Sequence, residues 1–443
     1  MIRLVRGPLC ITVAITLFIG CGKGGDSPAL SKVSIPKFAD VPTPAADGPR
    51  LGATRKMVPV RREPVKNSDL LGYLRGGSTV ARAQKPISRE NCEEGWYPVR
   101  PKGFVCLEEG ATLDMQHPTL EIMAIAPELG EPLPYTYARN QRDTNLYKVS
   151  NPDAREVNTV RPLTSKSGAA IIGSFSASGP DFETEQLAMM TTGQFLRTKD
   201  LEQAKFSQFH GLELEGDIKL PAGFVVKRGV AAWDIDKLQR LKRKRELSYH
   251  DVLNLTGSTR KIHGNKVWET VDGEWVRHRD VSVVRKRSQL PEFVHASRRW
   301  IDVSVIMGTA VAYIGSEPVY ATLVSVGKDR IGEGLENPAI TKRGEFPVVA
   351  KAITAVGSDP KNFANRVELH DVPWALELAS EQLLHGAYWH NRFGIEHGPG
   401  NLQFAPKDAR WLWGFATPKV PEGWHAIRSE LPETEQTIVN VHR

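Results

Sequence analysis

Four titratable side chains lie within 13 residues near the C-terminus of this 443-residue chain: His385, His390, Glu396 and His397. Imidazole and carboxylate groups serve as general bases and as metal ligands, so the cluster has the residue types for either chemistry. The cluster ends in a glycine-rich turn, EHGPGN (396–401), of a kind that commonly exposes a reactive group. A nucleophile is expected at its fourth position, but Pro399 has no nucleophilic atom.

The residues upstream of this cluster predict the sheet that positions it. Ile301, Val303 and Val305 alternate with polar residues, which indicates a strand with one buried face. Glycines at turns after this strand separate it from two further strands, 310–314 and 318–327, so we expect an antiparallel meander. A helix is predicted over about 407–415, after the turn, and its first-turn Asp408 favours the helix dipole.

The segment 298–424 resembles the catalytic domain of the L,D-transpeptidases. The opening strands (300–327) and the segments 371–394 and 408–418 are similar to those of the family. The segment TKRGEF (341–346) looks like the family's Thr-Pro-x-Gly-x-Phe, with Lys342 in place of proline. The resemblance implies a β-sandwich domain that acts on peptidoglycan stem peptides. In the family, a histidine ionises a cysteine, the thiolate attacks the peptide carbonyl, and backbone N–H groups stabilise the oxyanion.

The first family motif matches the residues around His385. This histidine stands at the position of the general base, and the resemblance implies that the carbonyl of Gly386 orients its imidazole. Trp389 and His390 match the aromatic and polar wall of the groove. With Asn401, they are the substrate-binding residues that the resemblance predicts.

The second family motif, Ser-His-Gly-Cys-Val-Asn, is altered at its reactive position. His397 and Gly398 match it, but Glu396 replaces the serine and Pro399 replaces the cysteine. Only 13 residues separate His385 from Pro399, which is shorter than the usual gap. Proline also lacks a backbone N–H, and loss of one oxyanion donor typically costs about 10²–10³ in rate. Since no cysteine follows Cys106, we predict that the catalytic set is not intact.

The predicted function is therefore that of an exported cell-wall protein without cysteine transpeptidase activity. It would act in peptidoglycan binding, maintenance or regulation, with stem peptides or wall polymer, and other wall enzymes, as partners. No cofactor or metal is predicted. Three alternatives stay open: an active peptidoglycan-modifying enzyme, a metal-dependent hydrolase using His385, His390 and His397, and a domain that only packs.

The N-terminus predicts export. Residues 1–20 have a charged start and a short apolar run, which is typical of a signal peptide and too short for a permanent membrane span. The sequence FIGC (18–21) resembles a lipobox, which implies cleavage before Cys21 and lipidation of its thiol. The segment 21–50 then reads as a flexible tether. We expect a lipid-anchored envelope protein on the periplasmic face, in the outer membrane if the cell has two membranes.

The remaining cysteines, Cys92 and Cys106, form an even pair in an exported chain, so a disulfide is predicted between them. A loop of this size stabilises the folded chain by about 3 kcal/mol. The surrounding segment, 51–113, has short alternating strands and resembles a bacterial SH3-like barrel. Such a module either binds peptide or wall polymer or serves only in packing, and both readings stay open.

The middle region, 114–297, is expected to be mixed and β-rich, and the sequence shows no evident internal repeat. Its clearest element is a hairpin over 267–276, since Asp-Gly suits a tight turn. The basic run KLQRLKRKR (237–245) is interpreted as a solvated helix face, with contact to acidic envelope polymer or lipid headgroups as the alternative. Residues 425–443 are expected to form a C-terminal tail.

Composition limits the class of protein. Thirty prolines and 38 glycines favour a mainly β fold with some α structure, here an SH3-like barrel plus the C-terminal β-sandwich. The net charge of +7 suits contact with anionic surfaces. No nucleic-acid-binding motif is present, so nucleic acid is not an expected partner.

Overall fold

A computed structural model describes residues 41–151, 153–215, 219–327, 340–355, 367–398 and 400–443. The signal peptide, Cys21, most of the tether and Pro399 lie outside these residues. The chain is mainly β, with 48% strand and 7% helix, which confirms the predicted fold class. All described elements belong to one unit, Lys37–Arg443. In the described part of the chain, no helix has the length and apolarity needed to cross a bilayer.

The first module (50–112) covers the segment for which the SH3-like fold is predicted. A short 3₁₀ helix, Leu107–Glu109, lies between its last two strands. The strands are β1 (Arg50–Ala53), β2 (Met57–Arg61), β3 (Leu70–Arg75), β4 (Thr79–Ala81), β5 (Trp96–Pro98), β6 (Phe104–Cys106) and β7 (Ala111–Thr112). The predicted disulfide between Cys92 and Cys106 is present in this module. The short helix α1 (Pro118–Ile122) follows it.

Two further modules occupy the middle region. The second module has the strands β8 (Thr136–Asn140), β9 (Thr144–Asn151), β10 (Glu156–Leu163), β11 (Gly168–Gly179), β12 (Phe182–Met190), β13 (Phe195–Arg197) and β14 (Leu201–Gln203). The two-residue β15 (Leu212–Glu213) follows. The third module has β16 (Ala222–Val225), β17 (Val230–Ile235), β18 (Leu241–Leu247), β19 (Val252–Ile262), β20 (Asn265–Thr270), β21 (Trp275–Arg277) and β22 (Val281–Val284). The hairpin expected over 267–276 is thus confirmed as β20 and β21.

The three modules repeat one topology. Numbered from one to seven within each module, the strands lie in the order 3-2-6-5-4-1-7 in the second and third modules. The first module has the same order, and its fourth and fifth strands meet at the Arg82–Val99 bridge. A 3₁₀ helix also separates the sixth and seventh strands in the later modules, at Thr198–Asp200 and His278–Asp280. The chain therefore contains a structural repeat.

The expectation of no internal repeat was wrong for a physical reason. Only one short stretch keeps a shared sequence, GQFLRTKDL (193–201) against GEWVRHRDV (273–281). The other strands share only a pattern of buried and exposed positions, which many different residues satisfy. Strand order is set by pairing across the sheet, so it persists after the residues have diverged.

The C-terminal domain begins with the predicted meander, and these three strands are confirmed. It contains β23 (Arg299–Ser304), β24 (Thr309–Ile314), β25 (Glu317–Leu323), β26 (Gly344–Ala355), β27 (Val372–Leu378), β28 (Leu383–Gly386), β29 (Leu402–Phe404), α2 (Pro406–Phe415), β30 (Trp424–Arg428) and β31 (Ile438–His442). A 3₁₀ turn, Glu433–Glu435, precedes β31. The predicted helix is confirmed as α2, and Pro406 at its start suits the first helical turn.

Residues 425–443 are part of the domain rather than a tail. β31 lies between β23, to which it runs parallel, and β26, to which it runs antiparallel. Val439 and Val441 are buried in the core of the domain. The alternation in IVNVH (438–442) is too short to stand out in the sequence, but pairing on both sides makes this strand central to the sheet.

The basic run, for which a helix face was expected, lies mostly in a strand in the structure. Residues 241–247 form β18, at the edge of the third module's sheet. Its basic side chains are exposed in this edge strand, as the helix interpretation also required. Charged side chains on an edge strand oppose pairing with another chain, so a strand is a stable alternative for this sequence.

Candidate functional site

The segments around His385 and His397 meet because β28 and β29 pair in parallel. His385 lies directly opposite Gln403 in this pair, and Gly386 lies opposite Phe404. Leu384 and Leu402 are buried in the same core as residues of α2, and this packing holds both strands in place. The sheet therefore holds the His385-Gly386 motif beside the turn that contains His397 and Gly398.

The imidazole of His385 is oriented by the carbonyl predicted to do so. Its Nδ1 lies 3.0 Å from Gly386 O, and since a carbonyl only accepts, Nδ1 carries the proton. The residue is only 3% exposed. Burial lowers the pKa of His385 to about 4, so the ring is neutral at pH 7 with an unprotonated Nε2. This is the protonation state of a general base.

His390 is held by hydrogen bonds at both ring nitrogens. Its Nε2 donates to Gln403 Oε1 at 2.8 Å, and its Nδ1 accepts from the backbone N–H of Arg392 at 3.1 Å. Burial lowers its pKa to about 4. With both nitrogens engaged, the ring serves to hold the 390–392 turn against β29.

His397 packs edge-on against His390, with ring centroids 4.4 Å apart. Its backbone N–H donates to Val326 O at 2.9 Å, which attaches the turn to the end of the meander. Burial, and then the charge of Arg392, lower its pKa. Gly398 has a φ of +89°, and a Cβ there would lie 2.5 Å from Gln403 Nε2. This glycine is therefore required by both the backbone conformation and the close side chain.

Asn401 has a structural contact rather than a free amide oxygen. Its Oδ1 accepts from the backbone N–H of Leu383 at 3.0 Å, which joins the turn to β28. Gly400 O accepts from Thr341 Oγ1 at 3.0 Å and from the side-chain amide of Gln382. The residues on both sides of Pro399 are thus anchored.

Sequence reasoning missed the polar residues that build this site: Thr341, Gln382, Arg392 and Gln403. Lys342 joins this network through its backbone N–H, 3.0 Å from Gln382 Oε1. The sequence contained a signal for one of them, because Gln403 interrupts an apolar strand. In the structure this residue is only 2% exposed. Buried amides of this kind are usually paired. The others have no sequence pattern that singles them out.

The three histidines are not grouped at metal-ligand distances. In the part of the chain that the structure describes, their ligating atoms do not lie within 4.8 Å of one another. The one such group found there is Cys92, Cys106 and Glu108, and both cysteines are committed to the disulfide. Those cysteines belong to the first module, so they supply no thiol to His385.

Trp389 links this site to the second module. Its ring lies 5.7 Å from that of His385 and 5.1 Å from that of Tyr388. It also lines a cleft of about 320 Å³ whose charged residues come from the second module and the segment after it: Arg139, Lys166, Glu202 and Lys205, the last two 3.4 Å apart. Ser207 donates to Asn391 at 2.6 Å across the same junction. The chain before the C-terminal domain therefore covers one side of the site.

Solved structures with partial similarity to this chain are L,D-transpeptidases. One from Stackebrandtia nassauensis is 14% identical, with 34% of this chain and 58% of its own covered, at a TM-score of 0.23. One from Xylanimonas cellulosilytica DSM 15894 is 16% identical, with 35% and 65% covered, at a TM-score of 0.24. L,D-transpeptidase 3 from Mycobacterium tuberculosis is 15% identical, with 43% and 79% covered, at a TM-score of 0.25.

The match spans less than two thirds of the first two of these structures, 58% and 65% of their lengths. No protein-family model matches the sequence, and no curated protein matches it.

Proposed function

We propose that the C-terminal domain is a non-catalytic relative of the L,D-transpeptidases that binds peptidoglycan stem peptides. The observation that carries this proposal is the arrangement around His385. The imidazole keeps the Nδ1 contact to Gly386 O at 3.0 Å and the neighbouring His397-Gly398 turn, but no cysteine occurs after Cys106. A general base without a thiol to ionise cannot start the family's reaction.

Binding is expected at Trp389, which is half-buried beside His385 and borders the cationic cleft. An aromatic ring with nearby guanidinium and ammonium groups suits a peptide that carries carboxylates. In this proposal the protein is exported and anchored by Cys21, which would hold the site at the wall. It then competes with, or recruits, active wall enzymes.

Wall binding tests the proposal directly. The purified protein is incubated with peptidoglycan sacculi and sedimented, and we expect it in the pellet. Trp389→Ala should reduce the bound fraction, whereas Trp411→Ala should not. Trp411 is a matched control because it is also a partly buried indole, but it stacks on Tyr320 beside α2. Equal binding by both variants, or none by the native protein, would contradict the proposal.

The absence of catalysis is tested separately. Native protein and Pro399→Cys are incubated with disaccharide tetrapeptides, and 3-3 cross-links are measured by mass spectrometry. We expect no cross-links from the native protein. Cross-links formed by the native protein would show that a different group acts as the nucleophile.

A further inference from the structure

The positive charge of the protein is concentrated in the third module. Residues 222–287 contain 16 Lys and Arg residues against 8 Asp and Glu residues, a net charge of +8. The whole chain has a net charge of +7. The second module, 136–203, contains 8 of each sign and is neutral overall. Since the modules share one topology, this difference belongs to the residues and not to the fold.

Part of this charge lies on one sheet face together with two indole rings. Trp233 is the cross-strand partner of both Trp275 and Arg243, so these three side chains share a face. The guanidinium of Arg277 lies 4.2 Å from the Trp233 ring centroid, and that of Arg260 lies 5.0 Å from that of Trp275. We call these five residues the Trp–Arg face.

The second module shows what this face looks like when its charge is neutralised. Arg197 occupies the place of Arg277, because each lies opposite a buried residue, Leu187 or Val267, of the fifth strand. Arg197 forms a bidentate ion pair with Glu185, at 2.9 and 2.8 Å. Lys199 also binds Glu185, at 2.6 Å.

The third module has lost this acid. Glu185 lies two residues before Leu187, and the residue two before Val267 is Asn265. Within the described chain, Arg277 Nε and Trp233 Nε1 are buried N–H groups without a hydrogen-bond acceptor. The Arg277 guanidinium packs on the Trp233 ring and has no ion pair among the described residues, so its charge is available to an oxyanion from outside the chain.

The neighbouring edge strand extends the positive surface. Lys242, Arg243, Lys244 and Arg245 are all exposed in β18. Glu274 pairs with Arg245 at 2.8 Å and with Lys244 at 3.5 Å, and Asp234 also pairs with Lys244 at 3.5 Å. No ion pair of Lys242 is present among the described residues, so the strand keeps a positive excess. From Arg260 on β19 to Arg243 on β18, the Trp–Arg face crosses five adjacent strands, about 19 Å at the usual strand spacing.

We propose that the Trp–Arg face of the third module binds an acidic polysaccharide. The ligand must be a polymer with repeated oxyanions, because the cations form an extended row rather than one pocket. Guanidinium groups held over rings present fixed donor forks, which suit carboxylates. A bilayer fits less well, since Trp275 is only 6% exposed and the guanidinium groups cover the rings that would insert.

This site is separate from the proposed peptide site at Trp389. No residue of the Trp–Arg face belongs to the C-terminal domain, so either proposal stands if the other fails. One acidic residue, Glu269, also lies on this face opposite Trp275. It accepts a hydrogen bond from Thr256 Oγ1 at 3.0 Å. Arg243 pairs with Glu246 at 3.7 Å in its own strand, so Arg260 and Arg277 carry the excess charge of this face.

The experiment restores the missing acid. The full chain is immobilised, and polygalacturonate, neutral dextran and phosphatidylglycerol vesicles are passed over it in separate runs. We expect polygalacturonate to bind, with an affinity that falls as salt rises, and dextran not to bind. Asn265→Glu should weaken polygalacturonate binding about tenfold, because it pairs Arg277 as Glu185 pairs Arg197. Arg277→Gln should give a similar loss.

Two controls separate the face from net charge. Asn158→Glu adds the same charge to an exposed position of the second module. It should change affinity less than about twofold, because exposed charges away from a site usually contribute little. Glu185→Asn frees Arg197 and should increase the amount of polygalacturonate bound. Thermal unfolding of each variant checks that the fold is kept.

The proposal is overturned by any of three results. If the native protein binds no polygalacturonate, an acidic polysaccharide is not its ligand. If Asn265→Glu and Asn158→Glu lose equal affinity, the effect comes from the overall charge and not from the Trp–Arg face. Vesicle binding that falls in Asn265→Glu as much as polygalacturonate binding does would assign the face to a membrane instead.

Discussion

The pKa values of several histidines in this protein are determined more by burial than by neighbouring charges. Four histidines have a pKa lowered to about 4, in each case mainly because the charged ring would be desolvated: His250, His385, His390 and His425. His385 and His425 are only 3% exposed. Because these imidazoles are buried in the neutral form, they make the stability of the folded protein depend on pH.

We predict that acid destabilises the protein between pH 6.5 and 4. In this range the unfolded chain binds protons at these histidines and the folded chain does not, so the free energy of unfolding falls as pH falls. For a fully buried histidine with a folded pKa of about 4, the loss from pH 7 to pH 5 is about 2 kcal/mol. Urea unfolding at both pH values, for the native protein and His385→Gln, measures it.

The variant should show a pH dependence that is smaller by about that 2 kcal/mol. His425→Gln is the matched second case, because its imidazole is equally buried. A pH dependence that is the same in the native protein and both variants would contradict the prediction.

At the scale of elements, one buried carboxylate adds to the β15–β25 pairing in holding the segment between the second and third modules on the C-terminal domain. Asp408, in the first turn of α2, accepts from Gly211 N at 2.7 Å, Tyr320 OH at 2.7 Å and Thr322 Oγ1 at 2.5 Å. Burial raises its pKa to about 6 despite these donors. Its oxygens thus join α2, β25 and the β15 segment.

We predict that Asp408→Ala releases this segment while Asp408→Asn retains it. The asparagine keeps an oxygen for Gly211 and Tyr320, and its amide can donate to Thr322. The alanine leaves these donors without an acceptor. Hydrogen exchange in the backbone of residues 207–214 should therefore speed up about tenfold or more in the alanine variant alone. Equal exchange in both variants would show that β15 pairing with β25 is sufficient.

The sequence predicts elements well where the pattern and the burial coincide. The meander, α2 and the Asp-Gly hairpin follow from alternation, a first-turn acid and a turn dipeptide, and each is present. Local pattern did not identify β18, whose basic residues suit an exposed helix as well as an edge strand. The orienting carbonyl of Gly386 was expected from the family, but the amides of Gln382 and Gln403 depend on contacts across strands that no local pattern encodes.

For the whole molecule, the modules and the C-terminal domain share sheets rather than only surfaces. β30 of the C-terminal domain pairs with β3 of the first module, and β15 pairs with β25. Gly168 of the second module bridges to Leu369. Because separating the parts would break backbone hydrogen bonds as well as contacts, we expect the described unit to unfold cooperatively.

One buried carboxylate lies where three of these parts meet. Asp371 is fully buried and forms an ion pair with Lys56 of the first module at 2.7 Å. It also accepts from Thr191 of the second module at 2.6 Å and from Thr354 of its own domain at 3.1 Å. Burial would raise the pKa of Asp371, but the charge and hydrogen bond of Lys56, with the hydrogen bond of Thr191, hold it below its usual value.

We predict that Asp371→Asn destabilises the entire unit by about 3 kcal/mol, because it leaves Lys56 without its counter-ion at a mostly buried position. In calorimetry, the native protein should show one transition, and the variant should show one transition at a lower temperature. Asp69→Asn is the control: its pair with Arg62 is 3.5 Å long and the carboxylate side chain is 80% exposed, so little change is expected. If part of the heat absorption in Asp371→Asn stayed at the native temperature, that part would fold independently, and the shared sheets would not couple the modules.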